Sequence, residues 1–230
     1  MTNIDSIVNK LAAAYPDARC GLSGARGHEL LFAVRLSAQC TDERVNKTTP
    51  ALFEAFPSLE AFAGAEPAEI EAYIRPCGYY RQKARDIVMC ARRLLGEYGG
   101  RIPDTLEDLL TLPGVGRKTA NLMLGELYGQ PGIVADTHCI RLSNRLGLVE
   151  SPDPARVERE LAALIPPREQ LSFCHRLILH GRAVCRARGA LCGQCVLRDE
   201  CAAIVNYKGG VKRNMSRGNN SSSMYKQKTI

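Results

Sequence analysis

The chain has 230 residues, of which 45% are hydrophobic and 24% charged, the ordinary balance of a folded globular protein. Its formal net charge of +7 is compatible with a polyanionic partner without requiring one. No apolar run approaches the roughly 20 residues that cross a bilayer, and no basic stretch followed by an apolar core opens the sequence, so we expect neither a membrane span nor a secretory signal. The cytosol is then the expected compartment, where ten cysteines indicate reduced thiols or metal ligands.

Helical periodicity runs through almost the whole sequence, and no stretch alternates as a half-buried strand does. In chain order, the predicted helices lie near residues 4–11, 28–40, 42–56, within 58–75 as a short pair, at 80–98, 105–112, 118–127, 136–146, from 154 and at 168–184. We therefore predict an all-α fold.

The predicted helix at 80–98 is expected to carry a basic outer face. The residues assigned to that face are Arg81, Lys83, Arg85, Arg92 and Arg93. Gly99 and Gly100 are expected to end this helix, and Thr105 begins the next one with Asp108 in capping-box spacing.

A glycine-rich turn over residues 112–116 joins two predicted helices and forms a helix-hairpin-helix pattern at about 105–128. Glycine permits a sharp turn and a close approach of bare backbone, and a helix start adds unpaired N–H donors and the positive end of a dipole. This combination predicts an anion seat, most often for phosphate. Lys118 stands at its mouth.

Four of the cysteines crowd together with the spacing C-x6-C-x2-C-x5-C: Cys185, Cys192, Cys195 and Cys201. Four thiolates so close in sequence can enclose one soft metal centre, either a tetrahedral zinc or an iron–sulfur cluster. Only the middle pair has the C-x2-C spacing of a zinc knuckle, which favours a cubane cluster. Four arginines around this loop are expected to form a basic surface: Arg182, Arg186, Arg188 and Arg198.

Lys118 and Asp136 form the candidate catalytic pair. A lysine amine becomes nucleophilic when desolvation or positive charge lowers its pKa, and a helix start followed by Arg117 supplies such a field. Asp136, at another predicted helix start, could stabilise a sugar cation or move protons. From the residues alone, phosphate pairing by Lys118 and simple capping by Asp136 remain open.

The segments LPGVGRKTA and VADTHCIRLSNRLGL, with the cysteine spacing, closely resemble the endonuclease III branch of the helix-hairpin-helix DNA glycosylases. LSAQCTDERVNKTTP, CGYYRQKARDI and LILHGRAVC extend the resemblance to about residues 5–205. The resemblance implies a bifunctional glycosylase and abasic-site lyase of base excision repair, with Lys118 as nucleophile, Asp136 as catalytic aspartate and a [4Fe–4S] cluster.

The resemblance also implies a partner: double-stranded DNA that contains oxidised pyrimidines or abasic sites, bound by a monomer in the cytoplasm. The DNA contacts that it assigns are Gln39, Tyr79, Gly114, Val115, Gly116 and Arg117. Gln39 matches the glutamine that fills the space of the flipped nucleotide. Tyr79 stands where relatives commonly place a leucine wedge, and is a departure from the pattern.

Three alternatives remain at this level. The first is an adenine glycosylase, whose members generally lack the lysine and carry a further domain. The second is a thymine-mismatch glycosylase of the same branch. The third, of another class, is a non-catalytic protein that uses the hairpin only to grip phosphate.

The resemblance implies two helical domains with the active cleft between them. Residues 20–131 are expected to form a six-helix barrel that contains the hairpin. Residues 1–19 and 132–205 are expected to form the cluster domain, and 206–230 a disordered tail.

Overall fold

The computed structural model describes residues 3–22 and 27–204, and within them it contains helices and no strand. The α-helices are α1 (Ile4–Ala14), α2 (His28–Ser37), α3 (Asp42–Ala55), α4 (Leu59–Gly64), α5 (Pro67–Ile74), α6 (Tyr80–Tyr98), α7 (Leu106–Thr111), α8 (Arg117–Tyr128), α9 (Thr137–Leu146), α10 (Pro154–Leu164) and α11 (Gln170–Ala183). Short 3₁₀ turns lie at Arg75–Cys77, Pro167–Glu169 and Cys192–Gln194. The all-α prediction is confirmed, and the predicted tail lies outside the described residues.

Local capping explains why many helix bounds follow the sequence closely. The side chains of Thr105, Asp136 and Asp153 each accept a hydrogen bond from a backbone N–H in the first turn of α7, α9 and α10. Left-handed Gly99 and Gly147 close α6 and α9. These signals lie within a few residues of the ends they set.

Two predicted helices are shorter in the structure. The helix expected at 28–40 ends at Ser37, because Ala38 is extended (ψ 115°) and Gln39 takes a positive φ of 54°. The helix expected at 168–184 begins at Gln170, after the 3₁₀ turn that starts at Pro167. The first change puts Gln39 on a loop.

The assignment of Lys83 to a basic outer face was wrong. Its side chain is only 1% exposed, and its amine donates hydrogen bonds to the carbonyls of Leu36 (2.8 Å) and Cys77 (2.9 Å). Arg81, Arg85 and Arg92 of the same helix are exposed. Lys83 therefore ties α6 to the end of α2 and to the turn before α6, where carbonyl acceptors offset the cost of burying its charge.

The more extensive helix–helix contacts fall into two groups. Helices α2 to α8 pack on one another, with α6 against α4, α5 and α2. Helix α1 packs on α11, and α11 on α9, which also contacts α10. The chain thus leaves the group of α9 to α11 after α1 and returns to it after α8. This grouping supports the predicted domain division, which stays a proposal.

None of the helices in the described residues is long and apolar enough to cross a membrane.

Candidate active site

The hairpin between α7 and α8 is a tight turn built on one left-handed glycine. The N–H of Val115 donates to the carbonyl of Leu112 at 3.1 Å, with Gly114 at φ +76° inside the turn. Gly116 is the N-cap of α8, and no side chain of the described residues caps that helix. The first-turn amides of α8 therefore have no side-chain acceptor among the described residues, as an anion seat requires.

The ion pair between Arg35 and Asp86 packs against the hairpin. The Arg35 guanidinium donates to Asp86 Oδ2 from Nε at 2.8 Å and from Nη2 at 2.5 Å, and Gln82 donates to Asp86 Oδ1 at 2.8 Å. A Cβ at Gly114 would lie 2.6 Å from Arg35 Nε. The hairpin backbone thus rests directly on this pair, which fixes where α8 begins.

Lys118 is the second residue of α8 and is exposed at the mouth of the seat. Its neighbour Arg117, assigned above to DNA, instead donates through Nε to both carboxylate oxygens of Glu158 on α10, at 2.9 Å each. Glu158 is only 13% exposed on its side chain, whereas Arg117 is 51% exposed. Arg117 is therefore engaged across two helices in this structure.

Asp136 is the N-cap of α9, and its Oδ1 accepts from the Cys139 N–H at 2.7 Å. Buried Asn121, one turn after Lys118 on α8, donates to the carbonyl of Ile133 at 3.0 Å. This bond joins the lysine helix to the segment that leads into Asp136. Sequence reasoning had given Asn121 no role, because only its contact to residue 133 reveals one.

His138 lies within electrostatic reach of both candidate residues. Burial is the main cause that lowers the pKa of His138; the charge of Asp136 opposes this, while Arg141, Arg182 and Lys118 lower it further. Its Nδ1 is 3.2 Å from Arg141 Nη2. Lys118 and Asp136 therefore act on one and the same imidazole, although they are eighteen residues apart in the sequence.

Gln39 and Tyr79 share an unusual backbone conformation. Among the described residues, these two are the non-glycine residues with positive φ, at 54° and 49°. Both side chains are exposed, Tyr79 to 69%. Such a conformation costs of order 1 kcal/mol or more and concentrates at functional sites. Two of the six positions assigned to DNA contact are thus backbone outliers.

The four clustered cysteines line one cavity of about 540 Å³, together with Arg145, Val184, Ala190, Arg198, Ala203 and Ile204. In the described part of the chain, no group of three or more His, Cys, Asp or Glu residues is arranged to hold a metal ion. All four cysteines grouped by the sequence spacing thus line a common cavity.

Two residues that sequence reasoning missed contact these thiols. Arg145 Nη1 donates to Cys185 Sγ at 3.2 Å, and its guanidinium also donates to the carbonyls of Arg186 and Ala187. His180 Nε2 lies 3.3 Å from Cys195 Sγ, and its Nδ1 lies 3.0 Å from the Tyr15 hydroxyl. These groups can stabilise negative charge on sulfur, as metal-bound thiolates require.

The sequence matches one known protein family and several of its named members. Residues 32–167 match the HhH-GPD superfamily of base excision DNA repair proteins. The chain is 48% identical over 201 residues to Endonuclease III of Synechocystis sp., covering 87% of this chain and 90% of the relative. It is 37% identical over 216 residues to Endonuclease III of Bacillus subtilis, covering 93% and 99%.

Solved structures agree with this match. A trapped Endonuclease III–DNA covalent intermediate superposes with a TM-score of 0.83 at 39% identity, covering 90% of this chain and all of that chain. A thermostable thymine-DNA glycosylase gives a TM-score of 0.79 at 21% identity, which speaks for the fold alone. The resemblance predicted from the motifs is thereby confirmed.

Proposed function

Because the chain belongs to the HhH-GPD superfamily of base excision DNA repair proteins, we propose that it is a bifunctional DNA glycosylase and abasic-site lyase with Lys118 as its nucleophile. One observation carries the assignment of the residue. An exposed lysine stands in the uncapped first turn of α8, and Asn121 joins that helix to the segment that leads into Asp136.

Duplex DNA is the partner, and the phosphate backbone is proposed to bind at the hairpin. The backbone around Gly114, Val115 and Gly116 would approach the phosphates, since Gly116 leaves open space where a side chain would stand. The target nucleotide leaves the helical stack so that its sugar can reach Lys118. Gln39 would then fill the vacated space, and Tyr79 would wedge or stack against the opposite strand.

The reaction needs an amine at C1′ of the sugar. The Lys118 Nζ lone pair attacks C1′, the bond from C1′ to the base breaks, and the base leaves with a proton. The amine and C1′ then form a Schiff base as the sugar ring opens. Loss of a proton from C2′ breaks the C3′–O bond, which cleaves the strand on the 3′ side by β-elimination. Water at C1′ would stop at the abasic site, because only an amine forms the Schiff base.

Asp136 is proposed to stabilise the positive charge that develops on the sugar and to move protons to and from Lys118. One of its oxygens is committed to the Cys139 N–H. That bond holds the carboxylate in place and leaves its second oxygen for the reaction. We expect oxidised pyrimidines as the bases removed.

We further propose that Cys185, Cys192, Cys195 and Cys201 hold a [4Fe–4S] cluster. When bound, the cluster supplies structural cross-linking of the loop after α11. Arg186, Arg188 and Arg198 are exposed around this loop. The folded loop would therefore present a basic surface to phosphate. Since the chain acts on chromosomal DNA in this scheme, we expect it in the cytoplasm at the nucleoid.

Borohydride trapping with abasic-site duplex tests the nucleophile. The wild-type chain should form a covalent adduct, and Lys118→Gln should abolish it while leaving DNA binding measurable. Lys47→Gln is the control, because Lys47 is an exposed lysine that pairs with Glu43 on α3. An adduct that persists in Lys118→Gln would exclude this lysine. If the wild-type protein binds DNA but forms no covalent adduct and does not cleave the strand, the non-catalytic alternative is favoured.

Two further measurements address the cofactor and the substrate. Metal analysis should give about four irons per chain, whereas one zinc per chain would contradict the cluster. A panel of duplexes with oxidised pyrimidines, thymine mismatches and adenine mismatches ranks the bases removed. Preferential removal of a mismatched base would favour one of the other glycosylase specificities.

A further inference from the structure

Two cysteines lie directly behind the two positive-φ residues. Cys40 follows Gln39 in the chain, and Cys77 comes two residues before Tyr79. Although 37 positions separate them, the Cys40 and Cys77 side chains lie close enough to interact with each other. Cys40 is partly exposed, and Cys77 is buried at 1% exposure. The loops that carry Gln39 and Tyr79 therefore meet through a pair of thiols.

Other bonds hold these loops in the same register. Buried Lys83 donates to the carbonyls of Leu36 and Cys77, so one amine spans the end of α2 and the turn before α6. Arg44 Nη1 donates to the carbonyl of Pro76 at 3.4 Å. The charge of Lys83 interacts with both cysteines, although burial raises the pKa of the Cys77 thiol above its ordinary value.

We propose that Cys40 and Cys77 are a redox modification site, at which a peroxide converts the two thiols into a disulfide that links the Gln39 loop to the Tyr79 loop. The structure supports this pair above the other thiol contact of the described residues, Cys139 with Cys174. Both of those cysteines are fully buried, with no exposed partner for an oxidant to reach.

The chemistry proceeds in two balanced steps. The Cys40 thiolate attacks one peroxide oxygen, the O–O bond breaks, and Cys40 becomes a sulfenic acid as one water forms. The Cys77 thiolate then attacks the Cys40 sulfur, the S–O bond breaks, and a second water leaves. In sum, two thiols and one hydrogen peroxide give one disulfide and two waters. Exposure assigns the first step to Cys40, and burial makes Cys77 the resolving thiol.

The functional consequence rests on the proposed function. A covalent S–S bond is shorter than a contact between two thiols, so it draws the loops together and removes their freedom to move apart. A displacement of about 1 Å at a positioning group can lower a rate by about 100-fold. We expect the disulfide to reduce cleavage of abasic-site duplex at least tenfold, and a dithiol reductant to restore it.

Peptide mapping of the cluster-loaded protein tests the bond directly. After treatment with hydrogen peroxide and alkylation of free thiols, trypsin should release peptide 36–44 joined to peptide 48–81. Cys40→Ser should abolish this species. Cys20→Ser is the matched control, because Cys20 is also partly exposed and contacts no other thiol among the described residues. The visible absorbance of the cluster, followed in parallel, separates loop oxidation from cluster loss.

Cleavage of abasic-site duplex is measured on the same samples. We expect peroxide to inhibit the wild-type chain and Cys20→Ser reversibly, and to leave Cys40→Ser and Cys77→Ala active. Absence of the joined peptides in folded, oxidised protein would overturn the proposal. Equal inhibition of wild type and Cys40→Ser would overturn its functional half. A reduced wild-type chain that cleaves no DNA would contradict the proposed function instead, and the peptide map would still decide the disulfide.

Discussion

Gly114 and Arg35 are in direct contact beneath the hairpin: a Cβ at position 114 would lie 2.6 Å from Arg35 Nε and 3.0 Å from the Cβ of Asp86. The glycine also has a φ of +76°, which other residues rarely adopt. Gly116, two residues later, has a φ of −102° and open space around the position of a Cβ. The two glycines of the motif therefore have different roles. Gly114 allows the hairpin to pack against Arg35 and Asp86, whereas Gly116 leaves open space on the solvent side for a ligand.

Alanine substitutions should separate the role of Gly114 in stability from the role of Gly116 in DNA binding. Gly114→Ala should lower the free energy of unfolding by about 1–3 kcal/mol, through strain at positive φ and displacement of Arg35. Gly116→Ala should change it by less than about 1 kcal/mol but weaken DNA binding, because its methyl group faces the phosphate seat. Urea unfolding and binding to abasic-site duplex measure the two effects. Equal destabilisation by both would contradict the distinction.

His28 should make stability depend on pH. It packs against Phe32 and Phe62, with ring centroids 5.8 and 6.2 Å away, and burial lowers its pKa from the ordinary 6.5, against smaller opposing effects of Glu29 and Glu60. Below about pH 6.5 the unfolded chain takes up a proton more readily than the folded chain. Stability should therefore be full above that pH and fall as the pH drops through the lowered pKa.

The urea midpoint at pH 7.5 and 5.5 measures this effect of His28. His28→Phe should reduce the drop between the two values, with a remainder because burial also lowers the pKa of His138 and His180. Tyr73→Phe is a control in the same aromatic region, where Tyr73 contacts Phe56. An unchanged drop in His28→Phe would contradict the assignment.

The sequence predicted most of the helices because their signals are local. The cap of α9 by Asp136 depends on Cys139, three residues away, and the end of α6 depends on the adjacent glycines Gly99 and Gly100. The burial of Lys83 could not be predicted in this way. Its Leu36 acceptor lies 47 positions away, and a lysine in an exposed-looking helical stripe carries no sign of it.

For the candidate site too, the sequence predicted residues in local motifs and missed residues that contact them across the fold. Its motif residues were readable, since the glycine turn, Lys118 and the cysteine spacing are contiguous patterns. The groups around them were not, because they act across the fold: Asn121 through Ile133, Glu158 through Arg117, and Arg145 through Cys185. The roles of Lys118, Asp136 and the four cysteines stay predictions.

Glu158 is predicted to restrain Arg117 from DNA. Glu158→Gln would free this guanidinium beside the hairpin, so binding to duplex DNA should tighten by roughly three- to tenfold, and the salt dependence should steepen by about one phosphate contact. The free energy of unfolding should change by less than about 1 kcal/mol, since Arg117 is half exposed. Binding isotherms at several salt concentrations give both quantities.

Glu160→Gln provides the charge-matched control, because Glu160 lies on the same helix and pairs with Arg156 instead. It removes the same negative charge without releasing Arg117. If both variants tighten binding equally, only net charge matters and the Arg117 contact is not the cause.

Asp136 both caps α9 and is proposed to act in catalysis, and two substitutions can separate these roles. Asparagine keeps a side-chain oxygen that can accept from the Cys139 N–H, whereas alanine removes it. Asp136→Ala should therefore lower the free energy of unfolding by about 0.5–2 kcal/mol, and Asp136→Asn by much less. Both variants lose the carboxylate, so both should lower the rate of base removal by about 10²- to 10⁴-fold, the usual contribution of an acid–base group.

Single-turnover rates and urea unfolding on the same preparations measure these two effects. If Asp136→Asn were as active as the wild-type chain, capping alone would account for the aspartate. If activity followed stability across both variants, the loss would reflect a frayed α9. A large loss of rate in a stable Asp136→Asn variant is the outcome that the proposed chemistry requires, because asparagine keeps one oxygen for the cap and replaces the other carboxylate oxygen by a neutral NH2 group.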